Sequence, residues 1–287
     1  MRAPFHVILA AMIAFLAGCT PPKDDGPPPI ERGAPPALAD IASRYNARVE
    51  KLDRLRSPIS VAIKTLDADH KPVSEQADGH FQYIRPAKLA LRIDKVGKTI
   101  FYLGGDDERF WWLDLTRDPK AALIGSHDRV TREQAAGVGL PVHPLDLLQI
   151  LGVYPLTRET TDPRWADHGH TLRIDQPGRW GMTRIYLDPT SYEPVRIELG
   201  PEPGPPAVSA VLKNYAPVEV DQDAFAPARI ATLVEIEMPA SQTSVRLRIY
   251  EPENPGTRLK PQAFNLDLLL DTYGVERVLN LDERKNP

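Results

Sequence analysis

The sequence has little cysteine, no large excess of positive or negative charge, and few long apolar runs. Cys19 is the single cysteine among 287 residues, so the chain can form no internal disulfide and no metal site built from several thiolates. Its 35 basic and 39 acidic side chains leave a formal net charge of -4, without the basic excess that nucleic-acid binding requires. We therefore expect a fold stabilised by its buried core, and no nucleic-acid partner.

The longest apolar run covers residues 5–18. It is too short to cross a membrane as a helix, because such a helix needs about 20 apolar residues. Arg2 precedes the run and small residues end it, a pattern typical of a secretory signal peptide. We predict a signal peptide over residues 1–18.

The residues around the cysteine read Leu16-Ala17-Gly18-Cys19, which resembles the bacterial lipobox. In that signal the peptidase cuts before the cysteine, and the cysteine sulfur carries a diacylglycerol. The resemblance implies a lipidated Cys19 that attaches the chain to a membrane. The alternative is an ordinary signal peptide with an incidental cysteine nearby.

A proline-rich segment follows, with seven prolines among residues 20–36. Proline-rich segments are extended and semi-rigid, so this one would reach about 50 Å at roughly 3.1 Å per residue. We predict a tether over residues 19–36 and one folded domain over residues 37–287.

The domain begins with helical periodicity and continues with strand periodicity. Apolar residues at three- and four-residue steps predict a helix over residues 37–56. From Ile59 onward short segments alternate between apolar and polar residues, which predicts an antiparallel sheet with one buried and one solvated face. The fold class is therefore α+β, with about eleven strands in a meander. Short helices are expected over residues 131–138 and 143–152, and near the C-terminus.

Catalytic motifs are absent from the sequence, and the chain is not expected to be an enzyme or to hold a cofactor or metal. His168 and His170 suggest an exposed loop pair rather than metal ligands, since no third ligand is evident. The acidic residues 106–108 indicate a solvated turn. Ser126, His127 and Asp128 are adjacent in sequence, whereas the members of a nucleophilic triad come from separate elements.

The order of elements resembles the bacterial lipoprotein-carrier family, which includes LolA and LolB. The resemblance is best between Leu55 and Leu115, and it rests on short motifs in a fixed order: Gly79, Arg85-Pro86, Asp106 and Trp111-Trp112. It implies a strongly curved open half-barrel, with an N-terminal helix and short lid helices over its concave face. The chain continues further after Tyr250 than the usual carrier.

The family resemblance implies an apolar cavity on the concave face. Its candidate lining consists of residues that alternate along the strands and of leucines along one face of the helix predicted over residues 143–152. These residues are Phe81, Tyr83, Arg85, Leu89, Leu91, Ile93, Phe110, Trp112, Leu145 and Leu148. The alternative is that the first helix and the helix around Leu148 pack this face shut. Arg85 would point inward, and the matching arginine of the soluble carrier is implicated in holding the lid. Its alternative is a strand-end position that reaches water.

These features predict a lipid-anchored protein on the periplasmic face of the outer membrane that binds acyl chains of lipoproteins or lipids. A periplasmic lipoprotein carrier is a candidate partner. The other candidate function is an envelope sensor or protein-interaction module on the same fold. Val96, in the turn between two strands, is a candidate membrane contact by resemblance to the protruding loop of LolB, and its alternative is an ordinary hairpin turn.

Overall fold

The computed structural model describes residues 27–67, 69–136, 143–179, 181–201, 203–220 and 227–283. The predicted signal peptide and Cys19 lie outside these residues. The helices are α1 (Leu38–Glu50), α2 (Arg132–Ala136), α3 (Asp146–Ile150) and α4 (Leu266–Tyr273). The strands are β1 (Arg54–Leu66), β2 (Pro72–Ile84), β3 (Lys88–Lys95), β4 (Lys98–Gly105), β5 (Arg109–Asp114), β6 (Ala121–Ser126), β7 (Arg164–Ala166), β8 (Thr171–Gly178), β9 (Gly181–Leu187), β10 (Pro194–Gly200), β11 (Val208–Pro217), β12 (Glu219–Val220), β13 (Arg229–Met238), β14 (Thr243–Ile249), β15 (Glu253–Asn254) and β16 (Arg277–Asn280).

All described strands belong to one open sheet. Its order is β16-β6-β5-β4-β3-β2-β1-β14-β13-β11-β10-β9-β8-β7, with β15 paired to β1 and β12 paired to β15. The pairs are antiparallel except β16 with β6 and β12 with β15. The predicted α+β half-barrel with an N-terminal helix is confirmed. The sequence pattern predicts fewer strands, because β7, β12, β15 and β16 are too short to produce visible alternation.

Helix α1 places Ile41, Tyr45 and Val49 in the core through four-residue steps along one face. The predicted helix runs further, to residue 56, because Leu52 and Leu55 continue the apolar spacing. In the structure Leu55 belongs to β1, where it lies opposite Tyr83 of β2. Its burial serves the sheet rather than the helix, so the helix ends earlier than the spacing predicts.

The inner face of the sheet carries the main core. Alternate residues of β1 and β2, among them Ile59 and Phe81, pack there with α1 and with residues 143–153. We call residues 143–153 the plug, because Leu148, Leu151 and other apolar side chains of this segment fill the space between the two halves of the sheet.

The outer face of β3–β5 is also buried, so the predicted solvated face is wrong for these strands. Residues 259–283, the C-terminal cover, pack Phe264, Leu266 and Leu269 against Tyr102 and Trp111. The Tyr102 hydroxyl donates to the Ala263 carbonyl at 2.6 Å. Sequence alternation misses this contact because Trp111 and Trp112 are adjacent and both apolar; Trp111 is buried under the cover, whereas Trp112 is only half-buried.

The predicted tether is partly docked on the domain. The backbone N–H of Ile30 donates to the His168 carbonyl at 2.8 Å, and the Trp165 indole donates to the Gly33 carbonyl at 2.7 Å. The Arg32 guanidinium lies 4.9 Å from the centre of the Trp165 ring. These contacts define residues 28–33 as a strap on the β7–β8 turn, which shortens the freely extended part of the tether.

Candidate apolar ligand cleft

An apolar cleft opens between the two halves of the curved sheet. Its volume is about 390 Å³, within the range of about 300–1,000 Å³ typical of small-molecule sites. One wall comes from β3–β5, the opposite wall from β11, β13 and β14, and the floor from the plug. Representative lining residues are Leu91, Phe101, Trp112, Leu147, Ile236 and Met238.

The lining offers hydrocarbon and little charge. The residues that surround the cleft in the described structure include no Asp, Glu, Lys or Arg. Phe101 and Trp112 meet edge to face with their ring centres 4.8 Å apart, which gives this wall a firm aromatic surface. Such a cleft suits an apolar ligand, since each methylene buried contributes about 0.8 kcal/mol.

The predicted cavity residues divide into two groups. Leu91 and Trp112 line the cleft. Most of the others are buried inside the packed core and reach no cleft, namely Phe81, Tyr83, Leu89, Ile93, Leu145 and Leu148. Phe110 is buried in a separate cluster with Val130 and Ala135. The cleft therefore involves few of the predicted residues, because α1 and the plug fill much of the inner face.

Arg85 is exposed in the turn after β2, so the prediction that it points inward is wrong. Its backbone N–H donates to the Asp53 carbonyl at 2.8 Å. The prediction assumed that Arg85 continues the alternation of inward-facing side chains along β2. It fails because β2 ends at Ile84, one residue before Arg85. The strand-end alternative is the observed position.

Two α1 side chains hold the end of the plug and the residues just after it, the role that the family resemblance implied for Arg85. The Arg48 guanidinium donates to the Gly152 carbonyl at 2.6 Å. The Asn46 side chain donates to the Leu156 carbonyl at 3.1 Å and accepts from the Leu156 N–H at 2.8 Å. Both residues flank the apolar stripe of α1, a position that sequence reasoning treated as solvent-facing.

Two buried histidines fix the other end of the plug. The Leu145 N–H donates to Nδ1 of His143 at 3.1 Å, which assigns the proton of His143 to Nε2. Nε2 lies 3.4 Å from Nδ1 of His127, and Nε2 of His127 lies 2.9 Å from the Asp106 carbonyl oxygen. A consistent chain of donors therefore runs from the plug to the β4–β5 turn with both rings neutral.

Burial keeps this region uncharged. It lowers the pKa of His143 to about 2, with the neighbouring His127 and Arg179 acting in the same direction. Burial also lowers the pKa of His127. It raises the pKa of Asp146, the first residue of α3, to about 7. His143, the titratable residue of the cleft lining, is therefore neutral near pH 7.

The residues around Ser126 do not assemble a nucleophile. The Ser126 hydroxyl donates to Asp282 at 2.6 Å, whereas His127 is directed to His143 and the Asp106 carbonyl. The acidic residues 106–108 form the predicted turn, in which Asp106 Oδ1 accepts from the N–H groups of Glu108 and Arg109. His168 and His170 lie at the strap, where Nε2 of His170 is 2.9 Å from the Pro28 carbonyl oxygen.

The fold and the cleft together define an open half-barrel protein with an apolar site between the halves of its sheet. No family model and no curated protein matches the sequence. Solved structures do match, with 10–13% identity. Among the described residues, no helix combines the length and apolar character needed to cross a membrane.

Three of these structures align over their whole length. An outer-membrane lipoprotein-sorting protein domain from Vibrio parahaemolyticus has a TM-score of 0.52 and 13% identity, over 80% of this chain and 97% of its own. A LolA superfamily protein from Nitrosomonas europaea has a TM-score of 0.51 and 11% identity, over 81% and 99%. A DUF1329 family protein from Desulfovibrio piger has a TM-score of 0.55 and 10% identity, over 82% and 100%. The resemblance to the lipoprotein-carrier family is confirmed at the level of the fold.

Proposed function

We propose that the chain is a lipid-anchored protein of the bacterial cell envelope that binds an acyl chain of a lipid or lipoprotein in the apolar cleft. The cleft between Trp112 and Met238 carries the proposal, because it is apolar, reaches solvent and lies on the inner face of a carrier-like fold. The lipoprotein-sorting description of the Vibrio structure supports the same reading. The process served is outer-membrane lipoprotein sorting or lipid transfer, with a soluble lipoprotein carrier as candidate partner.

The binding test replaces a plug residue that lines the cleft with a larger one, so that its side chain occupies the ligand space. Leu147 lines the cleft and is half-buried, so Leu147→Trp should reduce the affinity for a fluorescent fatty acid about tenfold. Leu268→Trp is the matched control, because Leu268 is an exposed leucine of α4 outside the cleft. Equal affinities of the two variants would contradict binding in the cleft.

The anchor is proposed at Cys19, on the periplasmic face of the outer membrane. Thr20 follows the cysteine, where an aspartate would retain enterobacterial lipoproteins in the inner membrane. Cys19→Ser should leave the protein uncut or release it from the membrane fraction. A variant that is still processed and still partitions into detergent would contradict lipidation.

A membrane contact is proposed at Val96, in the β3–β4 turn. The side chain is 96% exposed, and its φ of 51° is a conformation that β-branched residues avoid. An exposed apolar residue held in a strained conformation is favoured where it has a role outside the fold. Lys95 forms an ion pair with Glu75, so less positive charge is available here than the sequence suggests.

The second candidate is a protein-interaction module without lipid transport. It is favoured by the extent to which α1 and the plug fill the inner face. Native mass spectrometry of the full chain extracted from envelopes separates the two candidates. Co-purified lipid supports acyl-chain binding, whereas a lipid-free protein that also fails to bind fatty acid supports the interaction module.

A further inference from the structure

We infer that the cleft accepts one hydrocarbon chain at a time, so that its ligand is a single-chain amphiphile rather than a triacylated lipoprotein anchor. This inference rests on the proposed function and names the ligand class of the same site. Three features carry it: the size of the cleft, the packing beside it, and the bonds that hold the plug in place.

The size of the cleft is the first feature. Its 390 Å³ lies near the lower end of the range of about 300–1,000 Å³ that encloses one drug-sized molecule. One extended acyl chain is a ligand of that size. Two or three chains side by side would need a much wider space between the walls.

The packing beside the cleft leaves no room to widen it. Tyr45 of α1 and Leu148, Leu151 and Val153 of the plug are almost completely buried between the two halves of the sheet. Each of these side chains occupies inner-face surface that a second chain would have to cover. A wider cavity therefore requires the plug to leave the sheet.

Hydrogen bonds to three separate elements oppose that movement. Arg48 and Asn46 join the plug and Leu156 to α1. The Thr183 hydroxyl of β9 donates to Gln149. At the other end, His143 meets His127 after β6. A segment fixed at both ends and in its middle forms a floor rather than a swinging lid.

The lining of the cleft includes both a fully buried and an exposed polar residue, and this difference sets the direction of the ligand. His143 at the plug end is fully buried, whereas Ser241 in the β13–β14 turn is exposed. Thr243 adds a second hydroxyl beside it. The hydrocarbon would point toward His143, and a polar end group would stay in water near Ser241. A carboxylate and a lysophospholipid headgroup both satisfy this requirement.

The experiment compares ligands that differ in the number of chains. The full-length protein is titrated, by native mass spectrometry and by displacement of a fluorescent fatty acid, with palmitate, 1-palmitoyl lysophosphatidylglycerol, dipalmitoyl phosphatidylglycerol and a tripalmitoylated cysteinyl lipopeptide. We expect one-to-one binding of the single-chain probes and at least about tenfold weaker binding of the triacylated one. The ratio of the affinities for palmitate and for the lysolipid identifies which polar end group is preferred.

Three outcomes are distinguishable. Triacylated lipopeptide bound as tightly as palmitate would overturn the single-chain inference while leaving acyl-chain binding intact. Failure of every probe would overturn the proposed function itself. Strong preference for one chain supports acyl-chain binding and the single-chain inference, and it favours lipid transfer over lipoprotein sorting as the process served.

A variant pair tests whether the plug imposes the limit. Arg48→Leu removes the bond between α1 and the plug, and Asn46→Ala removes the bonds to Leu156 just beyond it; Arg48→Leu alone is the milder variant if the pair does not fold. Either variant should raise the affinity for the two-chain and three-chain probes relative to palmitate. An unchanged ratio in a folded variant with a loosened plug, checked by hydrogen exchange of residues 145–151, would contradict the inference.

Discussion

The guanidinium of Arg48 donates to the carbonyl oxygen of Gly152 at 2.6 Å, which joins α1 to the end of the plug. The same side chain donates to the Arg229 carbonyl at 3.3 Å, so one residue of the first helix connects the plug with β13. Gly152 is buried, and its carbonyl depends on this donor for a hydrogen bond with a charged partner.

Arg48→Leu should therefore destabilise the protein by about 1–3 kcal/mol, because the carbonyl of the buried Gly152 loses a charged donor. Urea unfolding followed by circular dichroism measures the change. Arg246→Leu is the control, since Arg246 forms an exposed ion pair with Glu235 on β13 and exposed pairs contribute about 0–1 kcal/mol. Equal losses in the two variants would contradict the role of Arg48.

The stability of the protein should depend on pH through Asp146. Burial raises the pKa of this carboxyl from 3.8 to about 7, so the folded state binds the proton more tightly than the unfolded state. Its contribution to stability is present below about pH 4 and is lost as pH rises toward 7, by up to about 1.4 kcal/mol per pH unit. Asp146→Asn should gain stability relative to the unchanged protein between pH 4 and 7. A difference independent of pH would rule out this titration.

His143 should act in the opposite direction. Burial lowers its pKa from 6.5 to about 2, so the unfolded state binds the proton more tightly than the folded state. The stability due to the neutral ring is present above about pH 6.5 and is lost as pH falls toward 2. In His143→Gln the loss of stability on acidification from pH 6.5 to 4 should be smaller. Urea titrations at several pH values measure both slopes, and identical slopes would contradict the assignment.

Gly169 controls the docking of the strap. A Cβ at this position would lie 2.5 Å from the Ile30 carbonyl oxygen, and the residue has a φ of 88°. Gly169→Ala should release the strap and expose the bond after Arg32 to trypsin. Gly33→Ala is the matched control, because nothing lies within 4 Å of its Cβ position. Slow cleavage at Arg32 in both variants would indicate that the strap remains bound.

Val96→Asn should separate stability from membrane association. Asparagine tolerates positive φ better than valine, so the variant should be more stable by about 0.5–1 kcal/mol. If Val96 contacts the membrane, the variant should also bind anionic liposomes less well once lipidated at Cys19. Greater stability with unchanged liposome binding would leave the turn as an ordinary hairpin.

The sequence predicts most of the helices and strands, but it does not predict which segments pack on the two faces of the sheet. The helices predicted over residues 37–56 and 143–152 overlap α1 and α3, and the turn predicted at residues 106–108 is closed by Asp106. The candidate cavity fares less well, since only Leu91 and Trp112 of its residues line the cleft. The alternation of residues along a strand identifies the face on which a side chain lies, but it does not identify which segment covers that face.

Local sequence therefore determined the helix, the antiparallel strands and the α+β class, because backbone periodicity and turn chemistry act within a few residues. Only the tertiary structure decided that Arg48 rather than Arg85 holds the plug, that the C-terminal cover buries Trp111, and that the cleft has a volume of about 390 Å³. Those outcomes depend on contacts between segments separated by about a hundred residues or more, and the spacing of residues within one segment carries no information about its distant partner.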